Sequence, residues 1–198
     1  MKNNKLVWFG LLALAALAAA AFTASSAHDT SAERAKRGEY LVKIMGCNDC
    51  HTPWQLGPNG PEPDMSRMLS GHPEQVGPLP PVQAPAGYVM TAAATNTAFS
   101  GPWGISYTAN LTPDRETGLG AWTEQNFVDT MRTGRHMGRG RPILPPMPWE
   151  GVGKLTDQDL KAVFAYLRTI PAVNNRVPQP TPPAQTVAAS PASASPSK

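Results

Sequence analysis

The 198-residue chain carries 17 Lys and Arg against 14 Asp and Glu, with 22 Pro, 17 Gly and two Cys. That length suits one domain with its own core plus an extension. Pro and Gly make up about a fifth of the residues, which excludes an α/β enzyme of continuous βαβ units. Two cysteines exclude both a disulfide framework and a four-cysteine zinc or iron–sulfur site. Setting aside Lys2 and Lys5, which fall in a removable leader, leaves 15 basic residues against 14 acidic ones, a formal charge of +1. A nucleic-acid binder carries a clearer basic excess, so no nucleic acid is expected as a partner.

Residues 1–27 read as a signal peptide. Lys2 and Lys5 form a positive start, and the stretch from Leu6 to Phe22 is apolar throughout. Ser25-Ser26-Ala27 then offers small residues where a signal peptidase cuts. The alternative is a retained anchor, although 17 Ala-rich residues lie at the bottom of the spanning range. Either way the domain is expected outside the cytoplasm, in the periplasm or facing it. There, two cysteines three apart become oxidised or chemically committed.

The expected domain covers residues 28–175. His28 to Gly46 reads as a helix: Thr30 and Glu33 make a capping box, Tyr40, Leu41 and Ile44 share a face, and Gly46 ends it. Gly38 in its middle costs about 1 kcal/mol relative to Ala and suits close approach by another element. Residues 52–104 hold ten Pro and seven Gly with no sustained period. They are expected to form an irregular insertion with one short helix near Met65 to Leu69. A second helix opens at the Thr123 cap, with Trp122 stapling onto Phe127, and ends at Gly134. The last helix is capped by Thr156, places Leu160, Val163, Phe164 and Leu167 on one face, and stops at Pro171. Residues 176–198 collapse to Pro, Ala, Ser, Thr and Gln and are expected to form a flexible tail.

Cys47-Asn48-Asp49-Cys50-His51 is the strongest chemical signal. C-x-x-C-H attaches c-type haem. Two thiols about one helical turn apart reach two vinyl groups on one porphyrin edge, and the next residue, His51, presents its imidazole to the iron. A thioredoxin-like C-x-x-C requires a preceding strand, whereas a helix precedes here. Zinc needs a fourth ligand and gives no reason for the adjacent His. A plain Cys47–Cys50 disulfide is the bland alternative.

The candidates for the sixth ligand are Met147, Met137, His136 and His72. Met147 lies in Leu144-Pro145-Pro146-Met147-Pro148, where three prolines fix the backbone around one thioether. Met137 sits in a Gly-flanked run, and a loop Met is often only packing. The reading therefore places Met147 opposite His51, with His136 as the best alternative.

On these residues the chain resembles a class I c-type cytochrome. Closer similarity, to single haem units of the cytochrome subunits of bacterial membrane alcohol and gluconate dehydrogenases, runs from about Glu33 to Pro171. It is carried by Arg37-Gly38-Glu39-Tyr40-Leu41, Asn110-Leu111-Thr112-Pro113-Asp114, Glu116-Thr117-Gly118-Leu119-Gly120, Trp122-Thr123, Pro146-Met147-Pro148 and Asp159-Leu160-Lys161-Ala162. Those subunits carry three C-x-x-C-H motifs and this chain one. The resemblance implies an all-α fold with crossed N- and C-terminal helices around one covalent haem c. It also implies that residues 110–122 wall the haem, although a surface turn explains the same residues.

Arg132, Arg135, Arg139 and Arg141 fall within ten residues with no acid between Asp129 and Glu150. They either compensate haem propionates, form a docking face for an acidic partner, or make a solvated loop. The combined expectation is a monohaem electron carrier, not itself an enzyme. It would work between redox-protein donors and acceptors, including a membrane dehydrogenase. The alternative is a peroxidase or gas-binding protein with an open sixth site.

Overall fold

The computed structural model describes residues 30–183. The expected leader and residues 184–198 of the expected tail lie outside the described residues. Helix α1 (Ser31–Ile44) starts at the Thr30 capping box, in which Thr30 Oγ1 accepts from the Glu33 amide and Glu33 accepts from the Thr30 amide. Helix α2 is the short Cys47–His51 turn. Gly46, between them, takes a φ of +65°, which lets the chain turn sharply into α2. Helix α3 (Glu124–Thr133) is capped by Thr123 and ends at Gly134 with a φ of +64°. Its capping box is closed by Asn126, whose side chain accepts from the Thr123 amide. Helix α4 (Trp149–Val152) is one turn, and α5 (Asp157–Leu167) starts at Thr156.

The expectation of an all-α fold is overturned. Five strands form two antiparallel sheets: β1 (Trp54–Gly57) with β2 (Gly60–Pro63), and β3 (Thr91–Ala92), β4 (Ala98–Gly101) and β5 (Gly104–Tyr107) in the order β3-β4-β5. The fold is mixed α and β. The strands escape sequence reading because each has four residues or fewer, too few to display a two-residue alternation. Pro61 and Pro63 lie in β2, which is tolerable because both strands of a two-stranded sheet are edges. The two hairpins close at the Gly57–Gly60 and Gly101–Gly104 pairs. The one short helix foreseen near Met65 is a single 3₁₀ turn, Met65–Arg67.

The main core lies between α1, α3 and α5, with α1 and α5 in the most extensive contact. Leu41 and Val42 meet Leu160, Val163, Phe164 and Leu167, joined by Phe127, Val128 and Met131 of α3. Each large apolar side chain buried this way stabilises by about 1.5–3 kcal/mol. Gly38 permits the approach: a Cβ there would overlap the Ala162 carbonyl oxygen and press on Tyr166 Cβ. Arg37 pairs with Asp159 at 2.9 Å across the same contact and holds its carboxyl below the usual range.

A second, smaller cluster of Ala98, Ile105 and Tyr107 lies on one face of the three-stranded sheet, with Leu79, Ala93 and Val177 against it. Residues 176–183, inside the segment expected to be tail, are in place beside β5: Ile105 and Thr181 exchange backbone hydrogen bonds of 2.8 and 3.0 Å. Just before them, the side chain of buried Asn175 gathers four partners. Its Oδ1 accepts from Arg67 and the Glu74 amide, and its Nδ2 donates to the Ser70 and His72 carbonyls. Among the described residues no helix is long and apolar enough to cross a membrane.

Candidate functional site

Helix α2 puts Cys47, Cys50 and His51 on a single turn directly after α1, so a helix, not a strand, leads into C-x-x-C-H. Both cysteines are free thiols. Burial pushes the Cys47 thiol up to about 11, and raises Cys50 as well. Neither is poised as a thiolate nucleophile. Cys47 packs against the main core and is fixed, while Asn96 Nδ2 donates to the Asp49 carbonyl at 2.8 Å and braces α2 from the sheet side.

His51 Nδ1 lies 2.8 Å from the Ala109 carbonyl oxygen. A carbonyl only accepts, so Nδ1 carries the proton, and the neutral ring keeps its lone pair on Nε2. Burial lowers the imidazole's pKa and holds it in this neutral state. A ring anchored at one nitrogen with a free lone pair on the other is the usual state of a metal-ligating histidine. The His51 carbonyl also accepts from the Gly71 amide at 2.7 Å, so main chain and ring are both tethered.

Met147 is half-buried and packs on the same core cluster as Cys47. The other candidates stand differently. His72 is fully buried and both ring nitrogens are engaged, Nδ1 with Thr97 Oγ1 and Nε2 with the Gly77 carbonyl, each at 2.9 Å. It is a structural histidine with no nitrogen left for a ligand. His136 meets Trp122 edge-on at 5.0 Å. Met137 has a φ of +53° in a 3₁₀ turn, outside both core clusters.

The 110–122 segment is built by its polar side chains. Asn110 Oδ1 accepts from the amide and hydroxyl of Thr112, and Asp114 accepts from the Glu116 and Thr117 amides and the Thr117 hydroxyl. Leu119 is part of the main core, and Leu111 and Trp122 from this segment pack on the same core as Cys47 and Met147.

The arginine run divides. Arg132 binds the Gly153 carbonyl and Asp157, tying α3 to the start of α5. Arg135, Arg139 and Arg141 lie exposed on a hairpin-like loop closed by the Arg135–Pro142 bridge. The Arg139 side chain has no ion-pair or hydrogen-bonding partner among the described residues, and its amide donates to the His136 carbonyl at 3.3 Å.

The residues present fit a covalently attached haem. The donor set is two thiols one helical turn apart and an imidazole with a free Nε2. Among the described residues four buried polar side-chain atoms lack partners, and two of them, Trp54 Nε1 and Thr108 Oγ1, belong to the segments flanking His51 and its Ala109 anchor. Cys47, Cys50 and His51 would hold the group, and Met147 would supply a sulfur ligand. Sequence reading missed Ala109, Asn96 and Asn175, because a main-chain carbonyl or a lone amide in a loop carries no motif.

The chain is similar to the cytochrome c subunits of alcohol, fructose and gluconate dehydrogenases. It is 28% identical over 156 residues to the cytochrome c subunit of the quinone alcohol dehydrogenase of Gluconobacter oxydans, covering 79% of this chain and 25% of that one. It is 31% identical over 147 residues to the fructose dehydrogenase cytochrome subunit of Gluconobacter japonicus, covering 74% and 23%. To the gluconate 2-dehydrogenase cytochrome c subunit of Pantoea cypripedii it is 28% identical over 155 residues, covering 78% and 26%. The chain thus spans about a quarter of the length of these curated relatives. No family model matches it.

Proposed function

We propose that this protein is a monohaem c-type cytochrome that carries single electrons outside the cytoplasm, in the periplasm or facing it. The observation that carries the reading is His51, fixed through Nδ1 and left with a free Nε2, on the same helical turn as two free thiols. The relatives named as cytochrome subunits support it. When bound, haem supplies an iron that takes up and releases one electron.

The chain's own residues do the rest. Cys47 and Cys50 would hold the haem through thioethers, which would keep the cofactor in place through every turnover. Ala109 orients His51 and keeps its proton on Nδ1. Met147 would supply a thioether ligand as well as the His51 imidazole, a pairing that would favour electron transfer over substrate binding and a raised potential. The core formed by α1, α3 and α5 excludes water from one side of the site. The protein converts no substrate itself. Its donor or acceptor is a redox protein, and the named relatives make a dehydrogenase the first partner to test.

Haem content tests this reading. The exported wild-type protein should retain one haem after denaturation and extraction, and Cys47→Ala with Cys50→Ala should yield a poorly folded chain without it. A haem-free wild type that folds fully, or a double variant with native helicity, overturns the reading.

A further inference from the structure

The insertion between α2 and α3 has a structural link to both ends of the proposed iron site. Ala109, just beyond β5, accepts from His51 Nδ1 at 2.8 Å. Ser106, inside β5, donates its hydroxyl to the Pro145 carbonyl at 2.6 Å, two residues before Met147. The Ser106 hydroxyl has one proton, and the alternative acceptor, the Phe99 carbonyl, lies at 3.4 Å. The Pro145 bond is therefore the one made.

This tether matters because of what the Met147 loop lacks. Pro145, Pro146 and Pro148 have no amide proton, and among the described residues neither Leu144 nor Met147 donates a backbone hydrogen bond. The run from Leu144 to Pro148 can be held only through its carbonyls or its side chains. Trp149 donates to the Met147 carbonyl from the following helix at 2.9 Å. On the preceding side Ser106 holds the run itself, at Pro145, while just outside it the Ile143 amide donates to the Gly134 carbonyl at 2.8 Å.

The register of the sheet places Ser106 for this task. Phe99 pairs with Ser106, and Ala98 with Tyr107, so Ser106 lies on the face opposite the Ala98–Ile105–Tyr107 cluster. That strand is itself braced: β4 and β5 pair along their full length, Ile105 bonds to Thr181, and Asn96 reaches back to α2. Ser106 and Ala109 are about 10 Å apart along extended chain. One strand thus ties the His51 side to the Met147 side.

We infer that Ser106 is a positioning residue for Met147, and that β4–β5 serves as the spacer that sets the separation of the two proposed axial ligands. The inference rests on the cytochrome reading. A proline-stiffened loop keeps its own shape but still moves as a unit, and Ser106 removes that freedom.

The experiment uses the haem-loaded wild type with Ser106→Ala, Ser106→Thr and Met147→Ala. Three readings are taken: carbon monoxide binding to the ferrous form, the far-red absorption of the ferric methionine-ligated form, and the pH at which that absorption is lost. Ser106→Ala should admit carbon monoxide roughly five- to tenfold more readily, the size a net hydrogen bond sets. It should also weaken the far-red band and lose it at lower pH. Ser106→Thr, which keeps a hydroxyl, should restore all three. If Met147→Ala opens the site while Ser106→Ala behaves as wild type, the positioning role is overturned and the cytochrome reading stands. If the wild type binds no haem, or Met147→Ala leaves the far-red band unchanged, the reading beneath it fails.

Discussion

Gly38 and Ala162 meet with no side chain between them: α1 and α5 approach so closely that a Cβ on Gly38 would overlap the Ala162 carbonyl oxygen. Helix propensity alone would make Gly38→Ala stabilising by about 1 kcal/mol. Packing reverses the sign, since the obstacle is backbone and the helices must separate. The variant should lose about 1–3 kcal/mol, measured as a lower urea midpoint of the haem-loaded protein. An unchanged or higher midpoint would show that the helices slide apart at no cost.

His72 sets a pH dependence. Its ring is buried, accepts from Thr97, donates to Gly77 and faces the Tyr107 ring at 4.9 Å, so burial lowers its pKa below the ordinary 6.5. The unfolded chain takes up a proton first as pH falls, and the folded state does not. Stability present above about pH 6.5 is therefore lost as pH falls toward the folded value, by up to about 1.4 kcal/mol per pH unit. Urea midpoints at several pH values between 5 and 8 should fall on the acid side. In His72→Gln, which can still donate to Gly77, that fall should flatten. An equal fall in both proteins would assign the effect elsewhere.

The exposed arginines should act on rate. Residues 28–198 carry 15 basic and 14 acidic residues and are near neutral, so any steering comes from a local patch, and Arg135, Arg139 and Arg141 share one loop shortly before Met147. Replacing Arg139 and Arg141 with Gln should slow electron transfer to an acidic partner at low salt. At high salt it should matter little, because the Debye length is about 10 Å at 0.1 M and shrinks further. A salt-independent change in potential and stability would instead pair an arginine with a haem propionate. No change in any of these would mark a solvated loop.

Where one residue carries the signal, structure was legible in the sequence. Thr30 with Glu33, Thr123 and Thr156 mark three helix starts, and Gly134 marks an end, because caps act over a few neighbouring residues. C-x-x-C-H is local in the same way. The sheets were not legible: Ala98–Gly101 pairs with Thr91–Ala92 and Gly104–Tyr107 in strands too short to show alternation, and Ile105 also pairs with Thr181, which lies far along the chain. The same distance hid the Ser106–Pro145 and His51–Ala109 contacts, and left Asn175 looking like the edge of a tail.

The reduced spectrum with and without carbon monoxide, recorded side by side for wild type and Met147→Ala, tests the central claim most directly. A closed electron-transfer centre predicts a wild-type spectrum that carbon monoxide does not change. It predicts a Met147→Ala spectrum that shifts on adding the gas while the haem stays covalently bound, with a lowered potential. Carbon monoxide binding to the wild type at the same level as the variant would contradict the claim and point to an open-site peroxidase or gas-binding protein.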